Sequence, residues 1–318
     1  MYYGRSADFE SDNLTIDIVN DGAVSAGNVY SQPKYTGVLY NAYLIKPNFT
    51  ANEKILHFFT TSIFKSIKPK FGYENKAGWE KVKKEKIKLP IANGKIDLDY
   101  MTGLITELES ENIKKLENYL TENELKDYHL NENEKRALEN FKKGKVKFKE
   151  FKIEDLFNIH NTKSFNKNKL VVGNEYDYVT RTSQNQGVFD KTGFVNRQNI
   201  NTSGNWSLGL MQMDFFYRKN PWYAGQFVRK ISFKEELNEK KAIYFSTLLN
   251  KFKEKLLTVL VRDLDKLFLE SKLRLPITKN GKINYDSIET LISAIQKLVI
   301  KDVVLYVERK NRINVVNN

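Results

Sequence analysis

Period-two alternation of apolar and polar side chains marks residues 14–18 and 38–44 as strands, with Asn20-Asp21-Gly22 as a turn between them. Asn52 is then placed to cap a helix whose apolar residues Ile55, Leu56, Phe58, Phe59, Ile63 and Phe64 recur at spacings of three and four. The same order returns later in the chain. Residues 215–217 and 227–231 read as strands, and Asn238 precedes a helical stripe of Ala242, Ile243, Phe245, Leu248, Leu249 and Phe252. Two longer stripes stand apart from these. Behind Asp99 as cap run Met101, Leu104, Ile105, Leu108, Ile113, Leu116 and Leu120. Behind Asp286, with Glu289 completing a capping box, run Ile288, Leu291, Ile292, Ile295, Leu298 and Val299. Each stripe needs a partner, either its own domain or another helix. Two such helices in one chain point to an antiparallel pair, each on the order of 30 Å long at about 1.5 Å per residue.

The recurrence is written into the letters. Residues 89–105 read LPIANGKIDLDYMTGLI and residues 275–292 read LPITKNGKINYDSIETLI. Gly94 and Gly281 lie 187 residues apart, as do Tyr30 and Tyr217, while Thr61 and Thr247 lie 186 apart. That period is domain-sized, far beyond the roughly 20–50 residues of a solenoid unit, so the chain is a tandem duplication. The copies differ at their fronts. The second has about sixty residues between Lys145 and Asn205 that the first cannot match, and Asn13-Leu14-Thr15-Ile16 aligns with Asn205-Trp206-Ser207-Leu208. The first module is therefore expected to lack its front, supplied by another polypeptide or lost because Met1 lies inside a longer gene. Between the modules, Thr121 with Glu124 and Asn131 with Glu134 read as capping boxes, and Gly144 is placed to end the last short helix. The expected fold is α+β. A partial α/β domain (1–98), a central helical region (99–143), a complete α/β domain (144–284) and a terminal helix (285–318) follow one another, the two long helices forming an antiparallel coiled coil.

Composition narrows the function. With 318 residues and 41% hydrophobic content, two domains can each bury a core. There are no cysteines, which excludes disulfides, thiolate metal sites and cysteine nucleophiles and fits a reducing compartment. The N-terminus carries no leader pattern and no stretch approaches a spanning apolar run, so a cytoplasmic protein without membrane contact is expected. Lysine and arginine number 52 against 39 aspartate and glutamate, a formal charge of +13. Such an excess is the footprint of a polyanion binder or of a lysine-rich solvated surface. It is uneven: 107–139 is acid-rich, whereas 142–169 and 181–241 are basic.

The basic second module also holds the most suggestive polar run. An alternating segment, 176–180, leads into Arg181-Thr182-Ser183-Gln184-Asn185-Gln186-Gly187, followed by Asn196-Arg197-Gln198-Asn199. Arginine bonds guanine O6 and N7 bidentately, and asparagine or glutamine does the same for adenine, so these side chains on strand-edge loops suit base edges. A merely solvated turn has the same composition, and residue types alone leave both readings open. Lys163, Lys167 and Lys169 would be phosphate contacts, which position without specifying.

Catalytic machinery is missing. Asn220-Pro221-Trp222-Tyr223 approaches the adenine-methyltransferase motif but lacks its second proline and an accompanying glycine loop, and reads as a turn between strands. Asp97 with Asp99, and Asp263 with Asp265, are weak metal candidates, and His57, His129 and His160 are not at ligand spacing. No catalytic residue, metal ligand or cofactor is assigned.

The strings LKDYHLNENEKRALENFKKGKVKFKEFKIEDLFNI (125–159) and YDYVTRTSQNQGVF (176–189), with the two LPI…GKI…D repeats, resemble the specificity subunits of type I restriction-modification enzymes over essentially the whole chain. The resemblance implies a non-catalytic subunit with two target-recognition domains, each reading half of a split site in double-stranded DNA and held apart by paired helices. It further implies docking of DNA methyltransferase subunits, and of restriction or translocase subunits, on those helices, for which Leu104, Leu108, Leu291, Ile295 and Leu298 are the candidates. Two rival readings are a truncated or split assembly piece that needs a second chain, and a fragment of a fused restriction-methylation enzyme.

Overall fold

Around Ile16 and Ile18 the first sheet has no choice of face. Both side chains point into a core with Val29, Leu56 and Ile67, while Asp17 between them turns the other way. The computed structural model of the chain describes residues 11–316 apart from positions 23, 39 and 260. Its contacts gather into two units, residues 1–123 with 306–318, and residues 124–305.

In the first unit β1 (Thr15–Val19) is flanked on both sides by antiparallel strands, β2 (Val29–Gln32) and β3 (Ala42–Ile45). The strand expected over 38–44 is shorter and later, because Thr36–Gly37 is drawn into a separate ladder with Ser11–Asp12; Leu39 lies outside the described residues. Helix α1 (Glu53–Ile67) covers the sheet, with the Asn52 side chain accepting from the Ile55 amide at 2.9 Å. Helix α2 (Leu98–Glu122) starts earlier than expected: its cap is Asp97, which accepts from the Tyr100 amide at 2.8 Å. Asp99 sits in the first turn, where its charge complements the helix dipole. The capping box expected at Thr121 does not form. Thr121 lies inside the helix and its hydroxyl donates back to the Glu117 carbonyl at 2.8 Å. The Glu117 carboxylate also accepts from the side chain of Asn311 at 3.0 Å.

In the second unit α3 (Glu132–Lys142) does open with a capping box, Asn131 and Glu134 exchanging hydrogen bonds of 2.9 Å, and Gly144 follows its end in the left-handed region. Glu134 is 4% exposed and also accepts from Ser293 (2.8 Å) and Lys297 (3.2 Å). Burial alone would push its carboxyl up, but these donors together hold it below the ordinary glutamate value.

Four further strands and a helix build the core of this unit. The main sheet runs in the order Phe215–Arg218, Asn205–Gly209, Val228–Phe233, Phe157–Asn161, all antiparallel. Trp206, Leu208 and Ile231 pack beneath helix Glu239–Asn250 with Phe157, Phe245 and Phe268. A three-stranded sheet adjoins, ordered Val188–Thr192, Tyr176–Val179, Trp222–Ala224, its last pair parallel. The strands by which the chain enters and leaves, Phe148–Lys152 and Lys272–Pro276, pair with each other from Phe148 opposite Pro276 to Lys152 opposite Lys272. The terminal helix Tyr285–Val316 is capped by Asn284, not Asp286, through the Ser287 amide at 3.0 Å. Among the described residues no helix is long and apolar enough to cross a membrane.

The duplication holds in three dimensions, with an adjusted register. Matching the caps Asn52 and Asn238 sets Ile16, between Ser31 and Ile45, on Trp206, between Tyr217 and Ile231. Ile16 thus corresponds to Trp206 rather than Leu208, and Tyr30 to Phe216 rather than Tyr217. The connection 20–28 is longer than its counterpart 210–214, so a fixed offset slips across it. Strand Phe157–Asn161 comes from the stretch that the first copy cannot match, and among the described residues the first sheet shows no counterpart to it.

This correspondence puts Asp17 where the second unit has Ser207. One carboxylate oxygen of Asp17 is buried without a hydrogen-bond partner, and burial pushes its pKa up to about 6 from 3.8. A raised carboxylate pKa means the folded state holds the proton longer. Stability therefore falls as pH rises between those two values, and the full penalty applies above about 6. Replacing Asp17 by Asn should raise the urea midpoint at pH 8 and leave it nearly unchanged at pH 4; an equal shift at both values would contradict the assignment.

Candidate nucleic-acid interface

Three turns of the second unit end up side by side because the strands they join are in register. The Gly225 amide donates to the Val179 carbonyl at 2.8 Å, and the Leu210 amide to the Phe227 carbonyl at 2.9 Å. Thr180 and Gly187 close the first turn through a 2.8 Å backbone bond. Turns 180–187, 210–214 and 225–227 thus share one end of the two sheets, and segment 165–170 joins them through a 3.1 Å bond from the Phe165 amide to Ala224. Between them lies a cleft of about 770 Å³, within the size range of small-ligand recesses. Asn166, Lys167, Arg181, Gln212 and Gln226 supply its polar lining, and Phe189 and Met211 its apolar walls.

Side chains lock this end. The Arg181 guanidinium lies 5.2 Å from the centre of the Phe227 ring. The Asp214 carboxylate takes the Ser183 hydroxyl and, at 2.6 Å, the Lys253 ammonium. Gly209 is obligatory here: a Cβ on it would stand 2.9 Å from the Arg181 Cα, so the Arg181 backbone lies directly on the strand end. Asn185, Gln186, Met213 and Phe227 all adopt left-handed backbone, with φ between 46° and 61°. Such conformations cost about 1–3 kcal/mol each and persist where surroundings over-determine them, as at ligand-facing turns.

The residues singled out in the sequence fall into three groups. Arg181, Thr182 and Lys167 line the cleft. Ser183, Gln184, Asn185 and Gln186 are exposed on the first turn, where the Asn185 amide donates to the Val188 carbonyl at 3.2 Å, and Lys163 and Lys169 are exposed on the neighbouring segment. The loop 196–199 does not line the cleft: Arg197 and Gln198 are exposed, whereas Asn196 and Asn199 are half-buried. The Asn196 side chain accepts from the Asn199 amide at 2.9 Å, and the Asn199 side chain donates to the Lys163 carbonyl. Their amides thus already hold the loop.

Sequence reasoning missed Asn166, Asn168, Gln212 and Gln226, which also line the cleft. Their signal was faint: single amides in short breaks between strands, at the same strand ends as Arg181. Gln226 donates to Asn166 at 3.2 Å, pairing two of them across the rim. Asp265, one of the weak metal candidates, pairs with Arg229 at 3.2 Å, and Asn220 and Pro221 lie in the expected turn between strands. Among the helical residues expected to meet partners, Leu104 and Leu291 are half-buried, while Leu108, Ile295 and Leu298 are exposed, with Val299 beside them at 73%. Elsewhere on the terminal helix Ile288, Ile292 and Val304 are buried. That helix therefore carries apolar side chains that its own chain leaves uncovered.

Residues 3–118 and 145–305 match the family described as type I restriction modification DNA specificity domain. No curated protein sequence matches the chain significantly. Among solved structures, the S subunit of the type I restriction-modification system from M. genitalium is similar over 98% of this chain and 83% of that chain, with 15% identity and a TM-score of 0.52, a likeness of fold. The HsdS subunit from Thermoanaerobacter tengcongensis aligns over 94% and 76% of the two chains, with 10% identity and a TM-score of 0.36.

Tyr223 underlies this end of the unit. Fully buried, its hydroxyl accepts from the amides of Val195 (3.0 Å) and Asn196 (3.1 Å) and donates to the Asn196 carbonyl at 2.9 Å. Tyr223→Phe should cost about 1–3 kcal/mol in urea unfolding and speed hydrogen exchange at the Val195 and Asn196 amides, because buried polar groups lose their partner. Unchanged exchange there would show that the hydroxyl does not hold the loop.

Proposed function

The chain belongs to the type I restriction modification DNA specificity domain family, whose members are non-catalytic DNA-recognition proteins, and we propose that its second unit reads one part of a DNA target with the turns around Arg181. The observation that carries this is the convergence of Arg181, Lys167 and the amides of Asn166, Gln212 and Gln226 on one cleft at the strand ends. Arginine and amide side chains are the readers of major-groove edges, and the exposed Lys163, Lys167 and Lys169 would contact phosphates. Arg197 and Gln198, exposed on the adjacent loop, would extend the contact along the duplex, while Asn196 and Asn199 shape that loop. On this reading the recognition domain spans 144–284, and the first unit is a partial domain of the same design.

The helices would serve assembly. Bonds from Asn311 to Glu117 and from Ser293 and Lys297 to Glu134 support an antiparallel pairing of the terminal helix with the central helical region. The uncovered stripe of Ile295, Leu298 and Val299 would receive a DNA methyltransferase subunit, and through it the restriction subunits of a type I complex.

Selection of a preferred duplex from randomised DNA, followed by binding across a salt series, tests the reading. Arg181→Ala should lose about 1–3 kcal/mol of discrimination at one base pair. Lys167→Ala should weaken preferred and random duplexes alike and lower the salt slope by about one phosphate contact. If both variants lose preferred and random DNA equally, Arg181 is not a reader. Separately, Leu298→Asp should abolish co-purification with the methyltransferase subunit while leaving duplex affinity within about twofold of the parent protein; retained co-purification would remove the stripe from the interface.

A further inference from the structure

Arg218 ends strand Phe215–Arg218 and is 4% exposed, an unusual place for a guanidinium. Its Nε and Nη2 donate to the Ser207 hydroxyl at 2.9 and 2.8 Å, and Nη2 also donates to the carbonyl of Gln186. None of these partners is a carboxylate. Burial pushes its pKa down to about 10, with the more distant Asp177 pulling the other way, so it remains a cation at neutral pH. The rings of Phe216 and Trp222 lie 5.8 and 6.0 Å from it.

What this charge holds is the tip of the first turn. Asn185, Gln186 and Gly187 are consecutive left-handed residues, with φ of 46°, 52° and 80°, a run that side chains other than glycine avoid. A Cβ on Gly187 would stand 3.1 Å from Nη2 of Arg218 and 3.3 Å from the Phe216 ring, so the tip is fitted to the guanidinium beneath it. Above, the side-chain amide of Asn185 braces the turn on the Val188 carbonyl. The Gln186 carbonyl is thereby drawn inward while its side chain stays exposed. An apolar residue would close the strand end without burying a charge, but it could not grip that carbonyl.

We infer that Arg218 is a positioning residue for base reading: its buried guanidinium fixes the left-handed tip that presents Gln186 to a base edge. This rests on the function proposed above and adds a group that touches no DNA itself. Arginine's fork serves Ser207 and Gln186 together, and a lysine has no such planar fork.

The test compares Arg218→Lys and Arg218→Met with Gln186→Ala on the selected duplex and on single-base-pair variants of it. Arg218→Lys should lose about tenfold or more of the preference at the base pair that Gln186→Ala affects. It should keep the preference at the base pair read by Arg181, and keep the salt slope. In the Gln186→Ala background, Arg218→Lys should cost no further preference, as expected of two residues acting as one unit. Arg218→Met, if folded, should do the same, and if it fails to fold the lysine variant carries the test alone. A folded Arg218→Lys with an unaltered preference profile would overturn the inference, as would a uniform loss at every base pair, which is the mark of a purely structural role. Should Arg181→Ala and Gln186→Ala both leave the profile unchanged, the reading itself fails and this inference with it.

Discussion

Strand register at the open end of the main sheet governs everything around the cleft. Trp206, Leu208 and Ile231 can face helix Glu239–Asn250 in only one pairing, since a one-residue slip would carry every one of them to the other face. Once that pairing is fixed, the turns after Val179, Gly209 and Ala224 have no freedom to part. The parallel bond set between Tyr176–Val179 and Trp222–Ala224 ties the smaller sheet to the same end. Polar side chains on the turns therefore inherit their spacing from a hydrophobic core to which Leu210 and Met213 of the same turns belong.

The internal repeat shows which parts of that arrangement the fold requires. Both copies keep an antiparallel trio of strands and a helix capped by asparagine, Asn52 and Asn238, each accepting from the amide three residues on at 2.9 Å. Both also keep a turn before a long helix, with Asp97 and Asn284 as caps. On the outer face of the trio they diverge: Asp17 in one, Ser207 in the other. A shared inner face with unlike outer chemistry is what a duplicated scaffold whose copies diverged separately would show.

Much of this was legible in the letters. Periodicity located the strands of the trio and the helices behind them, because core burial imposes spacings of two and of three to four. The capping box at Asn131 was visible because its chemistry is local. Misreadings came where local signals compete. Asp97 and Asp99 are both good caps, and only the entry of the chain from the preceding turn selects the first. Thr121 was read as a start, but a threonine inside a helix can bond its own preceding turn. The misalignment of Ile16 with Leu208 comes from a connection whose length no pattern of residues sets. The amides of Asn166 and Gln226 and the buried Arg218 were not distinguishable at all, since their roles come from contacts between residues 32 to 60 positions apart.

The zipped entry and exit strands have a mechanical consequence. Because Phe148 lies opposite Pro276 and Lys152 opposite Lys272, the segment between residues 153 and 271 is closed at its root by one two-stranded ladder, beside which Phe233 and Lys241 meet Tyr285 and Glu289 of the terminal helix. A load applied at the turns reaches the terminal helix through that ladder and through the Lys241–Glu289 and Phe233–Tyr285 contacts together. Stiffness of the five paired positions and of those side-chain contacts, rather than of any loop, would govern how faithfully a twist imposed at one end of the unit is transmitted to the other.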